Sequence, residues 1–485
     1  MTVTQETITR DRLYIGGEWV APTTERTFTA VSASTEEVIG HAPEAAEGDV
    51  DRAVTAARAA FDDPQGWSRW DVGRRADTIE RFADAVEKRA GQTARLVSNQ
   101  NGMPISMSEA VEGGFPPVAL RYYAGLIRDG IEERREGVFG RATRVRQEPV
   151  GVVAAIVPWN FPQALAFTKI APALAAGCTM VIKPSPETVL DSYLIAEAAE
   201  EAGIPAGVLN FVPAGREVGA YLVSHPGVDK VGFTGSTAAG RSIGEACGRL
   251  LRPVTLELGG KSAAIVLDDA DLASHTADFV NATLQNQGQT CYVSTRILAP
   301  RSRYGEVVDW ITETVAALKV GDALDPVTEI GPLASERQRE RVEGYIAKGI
   351  AEGGRLTTGG KRPAGLDRGY FVEPTVFADV SNTDTIAREE IFGPVLAVIP
   401  YETDAEAIAL ANDNEFGLGG SVWSRDTERA IEVARHVDSG GLGINYYSHD
   451  IGSPFGGVKA SGLGREQGPE GLAAYQVSKT IYNVP

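Results

Sequence analysis

From residue 149 onward the chain alternates short β-rich runs with amphipathic stretches, and this alternation constrains its fold more than any other feature. Residues 150–157, 179–182, 208–212 and 228–233 read as buried strands, while 164–175, 189–202, 217–224 and 237–247 between them carry helical spacing. Repetition of this kind predicts an α/β fold with a parallel sheet covered on both faces, the setting in which dinucleotides bind at the carboxyl ends of strands. A second apolar block begins near residue 253, where a strand-like 263–267 precedes a long helical stretch, 272–287, that delivers Cys291 from a helix end into a loop. Residues 356–369, polar and Gly-rich, read as an exposed connection, followed by a strand over 395–400 and a helix over 404–412. Ahead of the sheet, 51–61, 74–92 and 116–128 read as helices, and no internal repeat is present.

A chain of 485 residues, 43% of them apolar, can bury large cores and should divide into two or three domains. Its 46 basic and 65 acidic residues give a net charge of −19, which opposes nucleic acid and anionic membrane surfaces. The densest basic runs, 132–146 and 336–341, interleave Arg with Glu as solvated faces do. Three scattered cysteines, Cys178, Cys247 and Cys291, form neither a disulfide framework nor a CxxC pair, so a reducing cytoplasm fits best. Residues 1–12 are polar and nowhere do 18 apolar residues run together, which supports neither a signal peptide nor a membrane span. The five histidines show no ligand spacing, so no metal is expected.

The chemistry concentrates in two segments: Asn286-Gln287-Gly288-Gln289-Thr290-Cys291, and Glu257-Leu258-Gly259-Gly260-Lys261 upstream. Together they supply a sulfur nucleophile and a carboxylate base, the parts needed for covalent thiol catalysis. Cys178, inside an apolar strand, and Cys247, at a helix end, suit buried structural thiols better. No GxGxxG occurs, but the strand 228–233 runs into Gly235-Ser236 and a helix, which presents N–H groups and a hydroxyl to a pyrophosphate. The overlapping run Gly235 to Ser242 has Arg241 where a P-loop needs Lys, and the GxSxG match puts Ser242 a turn inside the helix, away from any nucleophile elbow.

Joined to Pro158-Trp159-Asn160-Phe161-Pro162, Phe233-Thr234-Gly235-Ser236, Glu390-Ile391-Phe392-Gly393-Pro394 and Pro454-Phe455-Gly456-Gly457, these segments resemble, in order and spacing, the aldehyde dehydrogenase superfamily from about residue 13 to residue 480. The resemblance implies a Rossmann-like cofactor domain (1–126 and 150–258), an α/β catalytic domain (259–461) and a small β oligomerisation arm (127–149 and 462–485). That arm would make a homodimer or homotetramer; the alternative is an edge strand within one chain. It implies NAD-dependent oxidation of an aldehyde: Cys291 attacks the carbonyl, Asn160 and the Cys291 N–H hold the oxyanion, hydride leaves for the nicotinamide, and Glu257 activates water against the thioester. Lys169 would support proton relay or cofactor placement, against a plain surface-helix lysine. Carried over in the same way, Pro158, Trp159, Lys183, Ser185, Gly215, Gly219, Gly235, Ser236, Gly240, Leu258, Glu390 and Phe392 would bind the cofactor, with Gly215 and Gly219 equally readable as turn and cap glycines. Pro186 stands where many NAD-preferring members carry Glu, and Glu187 comes one residue late, which leaves NADP open beside NAD.

Phe115, Phe161, Phe167, Tyr292 and Phe455 are implied as substrate-tunnel walls or as core, an uncharged set that suits an apolar or aromatic aldehyde. Arg121 and Arg296 remain candidates for a substrate carboxylate, and Tyr292-Val293 depart from the small residues usual after the cysteine. Glu257 argues for the non-acylating branch against transfer of the acyl group to coenzyme A. A non-catalytic binding protein on the same fold would not need Cys291, Glu257 and Asn160 together.

Overall fold

The computed structural model describes residues 7–484; residues 1–6 of the polar N-terminal stretch lie outside them. An eight-stranded sheet runs in the order Gly462–Leu463, Val254–Glu257, Lys230–Thr234, Val152–Ile156, Thr179–Lys183, Leu209–Phe211, Leu13–Ile15, Glu18–Val20. Its central pairings from Val254–Glu257 through Leu209–Phe211 are parallel. Side chains alternate across the strand Val152–Ile156 in the way a doubly covered sheet requires. Val153 and Ala155 join a core with the helices Val72–Glu87, Phe115–Ile127 and Pro162–Ala176, while Val152, Ala154 and Ile156 join another with Glu47–Asp62 and Arg216–Ser224. The parallel part starts at Val152–Ile156, builds outward on one side, then crosses to the other, so the strand order reverses between Val152–Ile156 and Lys230–Thr234. Such a reversal leaves a crevice at the carboxyl ends of the two strands.

A seven-stranded sheet follows in the order Arg355–Thr358, Thr375–Ala378, Val395–Tyr401, Arg296–Pro300, Ala263–Val266, Ser421–Trp423, Gly443–Ile444, parallel except at its first pair. It too has a core on each face, with Ile265 and Leu298 on one and Ala264, Val266 and Trp423 on the other. The strands Glu132–Arg135, Ala142–Pro149 and Gln476–Val484 form a separate antiparallel sheet in which Gln476 pairs with Pro149 and Ile481 with Arg144. Gly462–Leu463, grouped with this arm from sequence, instead edges the eight-stranded sheet through Leu256 and Glu257.

Two expected helices are divided. The stretch 74–92 breaks at Lys88 and Arg89 into Val72–Glu87 and Ala90–Asn101. The stretch 272–287 is a short turn Leu272–His275, a helix Thr276–Leu284 and a distorted turn Gln285–Gly288. Among the described residues no helix is long and apolar enough to cross a membrane.

Candidate active site

The carboxyl ends of the first sheet's parallel strands face the amino ends of strands in the second, and the residues singled out from sequence gather there. Pro158, Trp159 and Asn160 follow Val152–Ile156; Lys183 ends its strand; Gly235 and Ser236 follow Lys230–Thr234; Glu257 ends Val254–Glu257. Cys291 and Tyr292 lie ahead of Arg296–Pro300, with Glu390 and Phe392 ahead of Val395–Tyr401.

The turn before Cys291 explains why the helix stops. Asn286 (φ 51°) and Gln287 (φ 54°) are left-handed, a conformation that costs energy in residues other than glycine and persists only where surroundings enforce it. Asn286 Nδ2 donates to the Asn160 carbonyl (3.0 Å), and Gln287 Nε2 donates to the carbonyls of Gly102 (2.8 Å) and Pro332 (3.0 Å). Gly288 (φ +72°) packs so closely that a Cβ would lie 2.1 Å from the Gly393 carbonyl oxygen, which interlocks the cysteine segment with Glu390-Ile391-Phe392-Gly393-Pro394. Asn160 Nδ2 donates to the Gln289 carbonyl (2.9 Å), two residues from the thiol, and Asn101 Nδ2 donates to the Asn160 carbonyl (3.2 Å). Asn160 and the cysteine loop therefore form one hydrogen-bonded unit.

Glu257 is buried, and neither of its carboxylate oxygens finds a hydrogen-bond partner among the described residues. Burial first, and then Glu466, hold its carboxyl well above the usual range, with Lys169 and Arg465 opposing. Gly456, at φ +153°, leaves space for it: a Cβ there would lie 2.7 Å from Glu257 Oε1. Burial, followed by Glu390 and Glu257, pushes the Cys291 thiol up in turn. Burial thus holds both groups neutral at rest, and charge on Glu257 further opposes the thiolate. Lys169 is no surface residue. It is fully buried and donates to Glu466 Oε1 (2.8 Å) and Thr234 Oγ1 (2.6 Å).

On the nucleotide side, Ser236 caps the helix Thr237–Arg249, its hydroxyl accepting from the Ala239 N–H at 3.4 Å. The helix sits close to the sheet because Gly240 has no side chain; a Cβ would lie 2.4 Å from Leu258 Cδ2. At Gly235 a Cβ would lie 2.5 Å from Phe233 Cζ. Lys183 Nζ donates to the carbonyls of Pro184 (3.0 Å) and Ala214 (2.8 Å), and burial lowers its pKa to about 8. Gly215 caps the helix Arg216–Ser224, and within that helix a Cβ on Gly219 would lie 3.2 Å from Lys183 Cδ. Glu390 Oε1 accepts from the Gly260 N–H (2.9 Å), and Phe392, left-handed at φ 62°, sets its ring edge-on to Trp159 at 5.4 Å.

Residues 19–481 match the model of the aldehyde dehydrogenase family. This chain belongs to that family. A geranial dehydrogenase of Castellaniella defragrans is 56% identical over 477 residues, covering 98% of this chain and 99% of the relative. A Mycobacterium tuberculosis aldehyde dehydrogenase crystallised with NAD+ superposes with a TM-score of 0.96 at 49% identity, covering 99% of both chains. A mutant of aldehyde dehydrogenase C from Pseudomonas syringae, complexed with NAD+ and octanal, gives 0.94 at 39% identity, covering 99% of this chain and 98% of that one.

Within this aldehyde dehydrogenase the aromatic candidates separate. Tyr292 and Phe455 stand 6.2 Å apart beside the cysteine, and Phe161 and Phe115 meet in a small cluster with Met103. Phe167 is core, fully buried with its ring 5.8 Å from Phe82, and does not join them. Neither arginine is free to hold a substrate carboxylate. Arg121 is paired on the surface with Asp84 (2.8 Å) and Glu87 (2.5 Å), and buried Arg296 is committed to Lys261, Asn382, Leu410 and Ala411. A groove of about 600 Å³ passes Met107, Asn281 and Leu284 to reach Gln285, whose side-chain oxygen accepts from the Tyr292 hydroxyl.

Sequence reasoning missed Glu466, Asn101 and His449. Glu466 lies 297 positions from Lys169, in a glycine-rich run with no local pattern to mark its partner.

Proposed function

We propose that this aldehyde dehydrogenase oxidises an apolar or aromatic aldehyde to the free carboxylic acid with NAD, through a thioester on Cys291. The observation that carries the reading is the buried carboxyl of Glu257, left without a hydrogen-bond partner and electrostatically linked to the thiol. A base in that position serves hydrolysis, and an enzyme that hands its acyl group to coenzyme A has no use for it.

The residues present fit NAD. Gly235 and Gly240 admit no side chain without displacing Phe233 and Leu258, and Ser236 opens a helix N-terminus suited to a pyrophosphate. Lys183, Ser185, Gly215 and Gly219 would hold the adenosine half, and Pro158, Trp159, Leu258, Glu390 and Phe392 the nicotinamide half. Ser185 Oγ donates to Glu187 Oε2 at 2.5 Å, so the carboxylate that arrives one residue late is held beside Ser185, a candidate ribose-binding residue. Negative charge there repels a 2′-phosphate, and this favours NAD over NADP.

Bound NAD would supply the hydride acceptor and a positive charge that favours the thiolate. The protein's own part begins with Cys291 Sγ, which loses its proton to solvent and, as the thiolate, adds to the aldehyde carbon while Asn160 Nδ2 and the Cys291 N–H receive the developing oxyanion. Asn160 is fixed for this by its bond to the Gln289 carbonyl and by the donors on its own carbonyl. Glu257, acting in its ionised form after its resting proton has gone to solvent, then takes a proton from water as the water attacks the thioester carbon, releasing the acid and the Cys291 thiolate. Buried Lys169 and Glu466 stand ready to take up charge from Glu257. Following absorbance of reduced nicotinamide with NAD and a panel of aldehydes tests the reaction. Turnover should not depend on coenzyme A, and an absolute requirement for it would overturn the hydrolytic assignment.

A further inference from the structure

Three rings gather around Tyr292, the residue that follows Cys291, and make with it a cluster of four. Tyr292 stacks on Tyr447 (5.0 Å, 28°), and His449 packs between Tyr292 (4.4 Å) and Phe455 (4.2 Å). Three of the four carry a polar atom. The Tyr292 hydroxyl donates to Gln285, and Tyr447 lies near enough to feel the charges of Cys291 and Glu257. His449 Nε2 is different: it is buried and has no hydrogen-bond partner among the described residues. A ring nitrogen removed from water without a replacement bond destabilises the fold, and such an atom in a native site calls for an occupant.

The surroundings limit what that occupant is. The rings beside His449 are Tyr292, Tyr447 and Phe455, none of them ionised near neutral pH. Among the described residues no set of three His, Cys, Asp or Glu side chains could share a metal with it. Burial lowers its pKa to about 4, so the imidazole is neutral over the working range and offers one hydrogen bond and no charge. An anionic partner would be left uncompensated among the rings, and a purely apolar one would leave Nε2 empty. A hydroxyl satisfies the site whichever tautomer is present, because it can both donate and accept.

We propose that His449 is a specificity-determining residue whose Nε2 receives a hydroxyl carried on the aldehyde's chain away from the carbonyl, so that the preferred substrate is an otherwise apolar hydroxyaldehyde. This rests on the dehydrogenase reading above and refines its substrate class. A site built to bond a polar group discriminates strongly against the analogue that lacks it, because the protein's own group is then stranded.

The test compares ω-hydroxyaldehydes of increasing length with the n-alkanals of equal carbon number, reading kcat/KM with NAD in wild type, His449→Phe and His449→Gln. In the wild type the hydroxyaldehyde should exceed its alkanal about tenfold at the length that reaches Nε2, mostly through KM, as one restored buried bond allows. His449→Phe should bring this ratio to about one, and His449→Gln, whose amide also donates and accepts, should keep a preference. Titration of NAD by protein fluorescence shows whether each variant is folded, independently of turnover. A wild type without preference at any length, or a ratio unmoved in His449→Phe, overturns the assignment. Failure of both series to reduce NAD overturns the dehydrogenase reading instead, and this proposal with it.

Discussion

At Cys291 and Glu257 burial opposes ionisation of both groups, and charge on Glu257 opposes the thiolate further. Both are held neutral at rest, so replacing Glu257 with Gln removes a developing negative charge beside the sulfur and the base that attacks the thioester. Glu257→Gln is therefore expected to give a rapid burst of about one reduced nicotinamide per site, followed by steady turnover slowed about 10²- to 10⁴-fold. Stopped-flow absorbance reads both phases, and a lost burst with unslowed steady turnover would contradict the role. Cys291→Ala should abolish turnover yet still bind NAD in a fluorescence titration. Glu187 supplies another residue-scale test: Glu187→Ser removes the carboxylate at Ser185, so the NAD to NADP ratio of kcat/KM should fall by about tenfold or more. An unchanged ratio would place cofactor choice elsewhere. Cys291 and Glu257 were legible because each sits in a short contiguous segment with polar residues and glycine, and Asn160 because it is the polar residue of Pro158-Trp159-Asn160-Phe161-Pro162. Glu466 and His449 were not, since a buried pair across 297 positions and an empty ring nitrogen arise only from packing.

Elements carry the next layer, and the helix Pro162–Ala176 shows how a site is held from behind. Its first turn follows Asn160, and Glu112, in the wide turn Glu109–Gly113, accepts from the Gln163 N–H at 2.8 Å. Gln163 Nε2 donates to Asp191 Oδ2 at 2.6 Å, so the backbone and the side chain of one glutamine tie two buried carboxyls together. Burial raises Glu112 to about 8 and Asp191 to about 7. A carboxyl whose folded pKa exceeds its unfolded value binds more protons when folded. Its stabilisation is full below the unfolded pKa and is lost as pH climbs through the folded one. Thermal stability should thus decline between about pH 5 and 9, and Glu112→Gln, neutral throughout, should flatten that decline by a few kcal/mol at its alkaline end. Calorimetry across this range decides it; an unaltered pH slope in the variant would show that Glu112 is already ionised in the fold. Sequence periodicity located this helix but not its anchor, because Glu112 lies in a short stretch where glycine and proline erase any amphipathic pattern. The same blindness hid the break at Asn286 and Gln287: their composition allows a helix, and the bonds their side chains donate to the carbonyls of Asn160, Gly102 and Pro332 hold them left-handed.

Across the whole molecule, the sheet of Gln476–Val484, Ala142–Pro149 and Glu132–Arg135 buries little within one chain. Val477 is 46% exposed, Ile481 45% and Tyr482 76%, on a strand whose outer edge has no partner among the described residues. An uncovered edge with apolar side chains invites pairing, and monomeric proteins protect such edges with charge or proline. Here Lys479 is the one cation along the strand, and Glu148 neutralises it at 2.8 Å. The strand alternation of these runs was readable from sequence, whereas their pairing with each other and the exposure that gives them a purpose were not. We propose that this surface joins copies of the chain into a homodimer or homotetramer. Val477 and Ile481 lie four residues apart on one face, so a Val477→Asp, Ile481→Asp double variant places two charges in any such contact without touching the Ala142–Pro149 pairing. Light scattering coupled to size exclusion should find the wild type at two or four times the 51.5 kDa chain mass and the variant shifted toward one. Because Tyr475, next to this strand, packs its ring 5.1 Å from the buried amine of Lys230 in the cofactor-side core, some loss of activity should accompany dissociation. A wild type that already runs as a single chain, or a variant of unchanged mass, would return these strands to the role of an intramolecular edge.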